Sequence, residues 1–336
     1  HVKYIYPAGP IPMGRGLGRV GTVLPKSNRE VFSAKRKKIP WNLKAVGADK
    51  VWSELKITGR GAVVAMFDSG VNYRHADLRD NIWINPGEEA NNGKDDDGNG
   101  LVDDYYGFNF RTMQPEVIAT GSRQHGTLTS GIVAGDGAGG TVTGLAPEAK
   151  LMPLIGWGGP YAAARVHEYA LVMGADVMNM SFSIPNLGHT RGLWRLMSEH
   201  ATAAGLVLVS GAGNFQRETK PVQLRIPEGI PCVIAAGGVD RDMKIPGFVS
   251  LGPVEWGSVR FYGDYPMPKG LIKPDVCGFP NGGYPLLSSQ NKGYMDPNVR
   301  IRGNSFSGPH VAGTVALMFS ANQDLTAWRI KEILDR

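Results

Sequence analysis

Cysteine is scarce in this chain of 336 residues, which contains only Cys232 and Cys277. Neither lies in a CxxC pair or at the Cys/His spacing of a zinc ligand set, so a structural zinc site is disfavoured. Two separate buried thiols are expected in preference to one disulfide, although the count alone leaves a single bridge open. The two cysteines therefore do not indicate a fold that depends on disulfides.

Long apolar runs are also absent. No stretch approaches the roughly 20 apolar residues that a membrane-spanning helix needs, so no membrane span is expected. The first residues, His1 to Tyr4, do not show a signal-peptide pattern. The composition, with 42% hydrophobic and 20% charged residues, is ordinary for a globular protein.

Acidic residues are few at the start of the chain. Residues 1–50 contain eleven Lys and Arg but only Glu30 and Asp49, a local net charge of +9, whereas the whole chain carries +6. A nucleic-acid-binding surface gathers its basic residues on one folded face. Here they lie among Pro and Gly, most densely at 35–38. This distribution favours a solvated extension or a processing site, and no nucleic-acid partner is expected.

The pattern of residue types along the chain changes near residue 40. Residues 1–39 lack sustained periodicity and are interpreted as an N-terminal extension or propeptide remnant, with one short strand at 2–6. Residues 40–336 form the predicted folded domain. There, short apolar runs of strand length recur at 62–67, 151–155, 177–180, 206–209 and 233–236. Helix-length segments separate several of them, at 127–134, 162–173 and 193–204.

Apolar strands that alternate with helices predict an α/β fold. We expect a doubly wound, mainly parallel central sheet with helices on both faces. Folds of this kind place functional groups at the carboxyl ends of their strands. Asp68 follows the first apolar run directly, and a buried aspartate needs a charged or hydrogen-bonded partner. By position alone it could equally cap a turn.

Two further side chains stand out beside Asp68. His125 precedes a helix rich in small residues, and Gly126 lets other backbone approach it. Ser305 lies just before the apolar helical run 311–319, where a serine is either a helix N-cap or a nucleophile favoured by the helix dipole. His310 is five residues further along that helix and does not face Ser305, so a packing role is expected for it. The order Asp, His, Ser is one of three known for hydrolytic triads.

The segments around these residues are similar to those of a known family. FDSGV around Asp68, HGTLTSGIVAG from His125 and GNSFSGPHVAG around Ser305 resemble the three signature segments of the subtilases. MNMS, which ends at Ser181, resembles the family's substrate-binding strand, and SGAGN, which ends at Asn214, resembles its oxyanion segment. The resemblance extends from about residue 40 to the end of the chain.

The resemblance implies a subtilisin-like serine endopeptidase. Ser305 would be the nucleophile, His125 the general base, and Asp68 the group that orients His125. Asn214 would donate to the oxyanion together with the N–H of Ser305. The implied substrate cleft lies between two segments, Ser181-Phe182-Ser183 and Gly211-Ala212-Gly213. The family also implies protein or peptide substrates, an inhibitory propeptide, and a secreted or extracytoplasmic location.

Several positions depart from the family's pattern, among them Phe306-Ser307-Gly308 in place of the usual Met-Ala-Thr after the nucleophile. Asn304 replaces the usual threonine before the nucleophile, which leaves its part in the oxyanion site open. Leu128 and Thr129 differ from the usual residues after the histidine, and we expect this change to affect packing rather than chemistry. Arg225, if the preceding loop keeps its usual length, lies near the floor of the pocket for the residue before the cut. It would favour acidic side chains there, or it would be a surface arginine paired with Glu228 or solvent.

An acidic segment at 95–104 predicts a structural calcium site. Oxygen ligands alternate along it as in a calcium loop, with Gly100 at the sharp turn. The position of the usual terminal glutamate is Tyr106, so an outside ligand is needed. Without a cation the segment would be a solvated acidic loop. The predicted ligands are Asp95, Asp97, Asn99, the carbonyl of Leu101, and Asp103.

Two other functions remain open beside a broad endopeptidase. One is a non-proteolytic binding module with the subtilase fold, in which the extension or the calcium loop engages a partner. The other is a processing protease of narrow specificity.

Overall fold

The structure is a computed structural model. Most of the predicted N-terminal extension, residues 1–39, lies outside the residues that it describes. The structure describes residues 32–35, 37–118, 124–157, 159–184, 190–216, 223–254, 256, 268, 270–280, 283–296 and 301–336. The strand predicted at 2–6 lies outside these residues. Among the described helices, none has the length and apolar character needed to cross a membrane.

The described residues form alternating strands and helices after an initial helical segment. The strands are β1 (Val63–Phe67), β2 (Phe108–Asn109), β3 (Lys150–Ile155), β4 (Val177–Met180), β5 (Val207–Gly211), β6 (Ile234–Gly238) and β7 (Val276–Gly278). The helices are α1 (Trp41–Ala45), α2 (Ala48–Lys50), α3 (His125–Ala134), α4 (Pro160–Val172), α5 (Arg191–Ala203), α6 (Ser307–Ala321) and α7 (Ala327–Leu334). A π-helical turn (Val51–Leu55) extends α2, and a 3-10 turn (Arg79–Asn81) follows β1.

The strands form one parallel sheet in the order β2-β3-β1-β4-β5-β6-β7. The prediction of a doubly wound, mainly parallel sheet is therefore confirmed. Each of the five predicted strands lies within two residues of its observed position. The edge strands β2 and β7 were not predicted, because two or three residues are too short to give a recognisable apolar run.

Alternate residues of β1 face opposite sides of the sheet. Val64 and Met66 belong to a core that includes α3 and α6, whereas Ala65 and Phe67 belong to a second core that includes α4 and α5. This alternation is what the two-residue period of a strand requires when both faces are covered. The helices on both faces fix the sheet, and thereby the positions of its strand ends.

The described part of the N-terminal extension packs against this body. The ring of Phe32 contacts Trp52 at 5.5 Å between centroids, and its N–H donates to Glu148. The N–H of Lys38 donates to the carbonyl of Gly140 at 2.8 Å. The described residues of 32–39 thus pack against the sheet and its helices through both apolar and backbone contacts.

The two cysteines are both free thiols, as expected. Cys232 is buried, but Cys277 is exposed, so the expectation of two buried thiols was wrong for Cys277. The reason is that Cys277 lies on β7 at the edge of the sheet, where only the following residue, Gly278, is buried.

Candidate active site

Three neighbouring strands end at the same edge of the sheet, and the predicted site residues follow them. Asp68 comes directly after β1, residues 181–183 come after β4, and Asn214 lies three residues beyond β5. Because β1, β4 and β5 are adjacent and parallel, these segments lie side by side. The fold therefore brings together residues that are far apart in sequence.

Asp68 and His125 form a hydrogen-bonded pair. Nδ1 of His125 lies 2.8 Å from Oδ1 of Asp68 and 3.0 Å from Oδ2. Asp68 is only 3% exposed, and its Oδ1 also accepts from the N–H of Ser69 at 2.6 Å. A carboxylate partner at Nδ1 favours the tautomer with the proton there, which leaves Nε2 as a proton acceptor.

This pairing changes the proton affinity of His125. Burial lowers the pKa of the imidazole, but the charge of Asp68 and its hydrogen bond raise it more, so the net pKa is above the ordinary value. The side chain of His125 keeps 37% of its surface exposed. It is thus a basic group that a molecule bound at the sheet edge can reach.

Gly126 explains how α3 approaches the sheet edge so closely. A Cβ at this position would lie 2.1 Å from the carbonyl oxygen of Gly70 and 3.1 Å from the Cβ of Asp68. Any side chain would therefore push His125 away from its partner. The N–H of Gly126 also donates to Oγ of Ser69 at 3.1 Å.

Thr129 contacts the same carboxylate, which sequence reasoning missed. Its buried hydroxyl lies 3.3 Å from Oδ2 of Asp68 and 3.1 Å from the carbonyl oxygen of Gly126. One turn of α3 places residue 129 on the face that carries His125, so Thr129 makes a polar contact in addition to its packing. That the change at Leu128 and Thr129 affects packing rather than chemistry stays a prediction. The spacing of four residues was the signal available in the sequence.

Ser305 lies two residues before α6, and its neighbour contacts His125. The ring centroids of Phe306 and His125 are 5.9 Å apart. Ser305 is partly exposed, and among the described residues its hydroxyl has no partner within hydrogen-bonding distance. A Cβ at Gly211 would lie 3.2 Å from the N of Ser305. The backbone of Ser305 thus lies beside the end of β5, and the next residue, Phe306, contacts the ring of His125.

His310 has the packing role expected from its helical position. It is 1% exposed, its Nδ1 lies 2.7 Å from the carbonyl oxygen of Phe306, and its Nε2 lies 3.0 Å from the amide nitrogen of Asn42. Burial lowers its pKa to about 4.

Asn304 orients Asn214. The backbone N–H of Asn304 donates to Oδ1 of Asn214 at 2.8 Å, and its side-chain amide donates to the carbonyl of Gly213 at 2.5 Å. With Oδ1 of Asn214 occupied, its NH₂ group is left to act as the donor. Asn304 itself is fully buried, so it acts through Asn214 rather than directly on a bound molecule.

The two segments predicted to line the cleft are residues 181–183, the first wall, and residues 211–213, the second wall. They differ in how many of their backbone groups have no hydrogen-bond partner among the described residues. Beyond the ladder of β4, the backbone groups of residues 181–183 have no partner among the described residues. By contrast, Ala212 donates to Ala236, and the carbonyl of Gly213 accepts from Ser250. The first wall can therefore form backbone hydrogen bonds with an extended chain. In the second wall, these groups of Ala212 and Gly213 are already bonded within the protein.

The side chains of the first wall face different surroundings. Oγ of Ser181 accepts from Asn179, which fixes the start of the segment. The ring of Phe182 packs 4.2 Å from Trp157 and 4.9 Å from Phe67, measured between centroids. Ser183 donates to the carboxyl of Glu228.

Arg225 lies behind these walls and is not a surface residue. It is 6% exposed, and its guanidinium carbon lies 3.4 Å from the ring centroid of Phe215. Its backbone N–H donates to Oε1 of Glu228 at 3.0 Å.

The acidic segment brings only part of its predicted ligand set together. Asp95 and Asp97 each offer a carboxylate oxygen within 4.8 Å of the other and of Glu88. Oδ1 of Asn99 accepts from the N–H of Leu101, and Asp103 accepts from the N–H groups of Asn92 and Gly93. Asn99 contacts this group as a donor, through its side-chain amide to Oδ2 of Asp97 at 3.0 Å. The amide oxygen of Asn99 and the carboxylate of Asp103 therefore do not join Glu88, Asp95 and Asp97.

Glu88 lies where the predicted calcium site would need an outside ligand, which the sequence pattern did not identify. Its Oε1 accepts from the N–H groups of Asp96 and Asp97, whereas Oε2 is buried and has no partner among the described residues. Burial raises the pKa of Glu88, and the two N–H groups lower it. A buried carboxylate oxygen beside two other carboxylates, with none of the chain's own donors on it, fits a cation of the calcium type.

Comparison with known proteins gives a family and a fold. The model of the Subtilase family matches residues 59–336. Subtilisin-like protease 1 of Plasmodium vivax is 26% identical over 329 residues, which cover 90% of this chain and 48% of that protein. Fervidolysin of Fervidobacterium pennivorans is 27% identical over 321 residues, which cover 88% of this chain and 40% of that protein.

A solved structure titled S41 Psychrophilic Protease is similar with a TM-score of 0.64 at 21% identity, covering 89% of both chains. That likeness supports the fold. The chain spans less than half the length of the two sequence relatives.

Proposed function

This chain belongs to the subtilase family, and we propose that it is a serine endopeptidase that hydrolyses peptide bonds through Asp68, His125 and Ser305. The observation that carries the proposal is the contact of 2.8 Å between Asp68 and Nδ1 of His125, with Ser305 in the segment beside the His125 ring. This contact leaves Nε2 free to take a proton from a hydroxyl. A non-proteolytic binding module with the subtilase fold would not require that arrangement.

The proposed reaction proceeds in two halves. Oγ of Ser305 attacks the scissile carbonyl carbon while Nε2 of His125 takes the hydroxyl proton, and Asp68 stabilises the imidazolium. The imidazolium then gives its proton to the leaving amine, so the C–N bond breaks and an acyl-enzyme remains. Water attacks the ester with His125 again as the base, which releases the acid product and restores Ser305.

The negative charge on the carbonyl oxygen needs donors that are already in place. We assign this role to the side-chain amide of Asn214 and the backbone N–H of Ser305. The bond from Asn304 to Oδ1 of Asn214 supports this role, because it holds the amide in one orientation before substrate arrives.

The substrate is proposed to bind as an added strand along residues 181–183, whose backbone groups have no partner among the described residues. Gly211, Ala212 and Gly213 form the opposite wall. Arg225 is assigned to the end of the pocket for the residue before the cut, where its charge favours an acidic side chain. Its burial supports this role, since a surface arginine would not reach that pocket.

Glu88, Asp95 and Asp97 are proposed to be the ligands of a structural calcium ion. The ion would neutralise three clustered carboxylates and bind the buried Oε2 of Glu88. It lies in a loop separate from the proposed catalytic residues and would supply stability rather than chemistry.

The proposal is tested by hydrolysis of casein and of a peptide library, with cleavage sites identified by mass spectrometry. Ser305→Ala should reduce kcat by a factor on the order of 10⁶, since the acyl-enzyme cannot form. Ser53→Ala, which changes an exposed serine on the π-helical turn, is the matched control and should retain full activity. Hydrolysis that persists in Ser305→Ala would refute the proposal. Cleavage of a few sites only would identify a processing protease.

A further inference from the structure

Glu228 is a buried acid between the two walls of the proposed substrate cleft. It is fully buried, with 0% of its surface exposed. Glu228 lies two residues after Ile226, whose carbonyl accepts a hydrogen bond from the N–H of Ile184 at 2.7 Å. Because Ile184 directly follows the first wall, this bond joins the loop that carries Glu228 to that wall. The loop therefore continues the cleft inward from residues 181–183.

The carboxyl of Glu228 touches both walls at once. Oε1 accepts from the hydroxyl of Ser183, and it lies 3.0 Å from the place that a Cβ on Gly213 would occupy. Oε1 also accepts from the N–H of Arg225 at 3.0 Å. The second oxygen, Oε2, is buried and has no hydrogen-bond partner in the part of the chain that the structure describes.

The groups around this carboxyl provide little positive charge. Ser183 on the first wall and Gly213 on the second are uncharged, and so are the N–H groups of residues 225 and 228 that bond to it. Of the charged side chains, Arg225 acts on it most strongly. The guanidinium of Arg225, however, stacks on Phe215.

Glu228 therefore changes its charge in the physiological range. Burial raises its pKa to about 7, and the bonds from Ser183 and the two N–H groups, together with the charge of Arg225, lower it only in part. Below that pH the carboxyl is neutral, and the charge of Arg225 acts at this end of the cleft without an opposing charge from Glu228. Above it a negative charge lies in the same place.

We propose that Glu228 is a specificity-determining residue, whose ionisation closes the pocket for the residue before the cut to acidic side chains while leaving neutral ones unaffected. The inference rests on the proposed function, because it needs a peptide bound between residues 181–183 and 211–213. A protonated Glu228 adds no charge beside an incoming carboxylate, whereas an ionised one repels it. The repulsion acts in a water-poor pocket, where a like charge is screened weakly.

Two peptide libraries test this inference. They are identical except that one has Glu and the other Gln before the cut, and both lack His. The substrate glutamate is ionised throughout pH 5.5–8.5, since its own pKa is about 4.3. The ratio of kcat/KM for Glu over Gln cancels the titration of His125, which affects both libraries equally.

In the wild type we expect this ratio to fall about tenfold between pH 5.5 and pH 8.5. In Glu228→Gln, which keeps the shape but cannot ionise, the ratio should stay at the low-pH value across the range. Glu332→Gln, on the exposed face of α7, is the matched control and should follow the wild type.

The outcomes separate this inference from the proposed function. A wild-type ratio that is constant with pH would overturn the role of Glu228 even if the variant failed to fold. Failure to cleave either library, in an enzyme whose Ser305 still reacts with a fluorophosphonate, would overturn it as well. Loss of both hydrolysis and fluorophosphonate reaction would instead refute the proposed function.

Discussion

The sheet edge around Asp68 and the acidic loop of residues 85–104 both hold carboxylates in fixed positions, but they are assembled in opposite ways. At the sheet edge, Asp68 bonds to His125, which lies 57 positions further along the chain. In the acidic loop, carboxylates accept mainly from nearby backbone, as Asp95 does from the N–H groups of Asn99 and Gly100. The first region is built by the fold and the second largely by its own sequence.

The two regions also differ in which oxygen atoms are satisfied. Both oxygens of Asp68 contact donors of the chain, from Ser69, His125 and Thr129. In the acidic loop, Oε2 of Glu88 has none among the described residues. A carboxylate completed by donors of the protein can serve chemistry, whereas one with an oxygen left incomplete can accept a proton or an ion. We therefore expect substitutions at the sheet edge to change turnover and those in the loop to change stability.

The largest effect in this comparison should come from Asp68→Asn. The variant removes the charge that favours the working tautomer of His125, and kcat should fall about 10⁴-fold. In the wild type, kcat/KM should rise with pH through the pKa of His125, above 6.5, because only neutral imidazole can take a proton. In the variant the inflection should move to lower pH, because burial then acts alone. An unchanged pH profile would contradict the pairing.

Asn214→Ala should have the next largest effect at the sheet edge. Removing one oxyanion donor typically costs about 10²–10³-fold in kcat. Because that donor acts in the transition state, kcat and kcat/KM should fall together while KM changes little. Asn304→Ala should produce a smaller loss of the same kind, since it frees Asn214 to rotate. A rise in KM alone would show that Asn214 binds substrate instead.

Calcium removal should lower the stability of the protein through the acidic loop. It should leave kcat unchanged at temperatures where the protein stays folded. At an ion concentration of 100 times Kd, binding stabilises the fold by about 2.7 kcal/mol, so EDTA should lower the melting temperature. Glu88→Gln should abolish this response. Asp103→Asn is the matched control and should retain it, because Asp103 bonds to Asn92 and Gly93 outside the group of three. Equal EDTA sensitivity in the two variants would refute the assignment.

Thr129→Val should give the smallest change. The variant keeps the volume and removes one hydroxyl from Asp68, so kcat should fall a few-fold, by the net worth of one hydrogen bond of about 1 kcal/mol. Serine restores the hydroxyl, and Thr129→Ser should recover most of the loss. If valine and serine variants have equal kcat, Thr129 has only a packing role.

The sequence predicted those parts of the molecule that depend on regular patterns. A continuous apolar run identified β1, because a strand buried on both faces has few polar positions. The order of Asp68, His125 and Ser305 was recognisable from the segments around them. The fold itself then decides whether such residues meet.

Contacts that depend on packing between distant segments could not be predicted. Glu88 lies outside the alternating calcium pattern, and only the folding of the loop places it beside Asp95. Glu228 was considered a partner for a surface Arg225, but the sequence does not show that both are buried. The contact of Thr129 with Asp68 depends on how closely α3 approaches β1, which Gly126 determines.

The most direct test of the central claim is to locate the adduct of a fluorophosphonate by mass spectrometry. This reagent reacts with a serine hydroxyl that a neighbouring base activates. We predict one adduct, on Ser305, formed in the wild type and much more slowly in His125→Ala. Reaction at another serine, or labelling of Ser305 at an equal rate in the two proteins, would show that Asp68, His125 and Ser305 do not act as a unit.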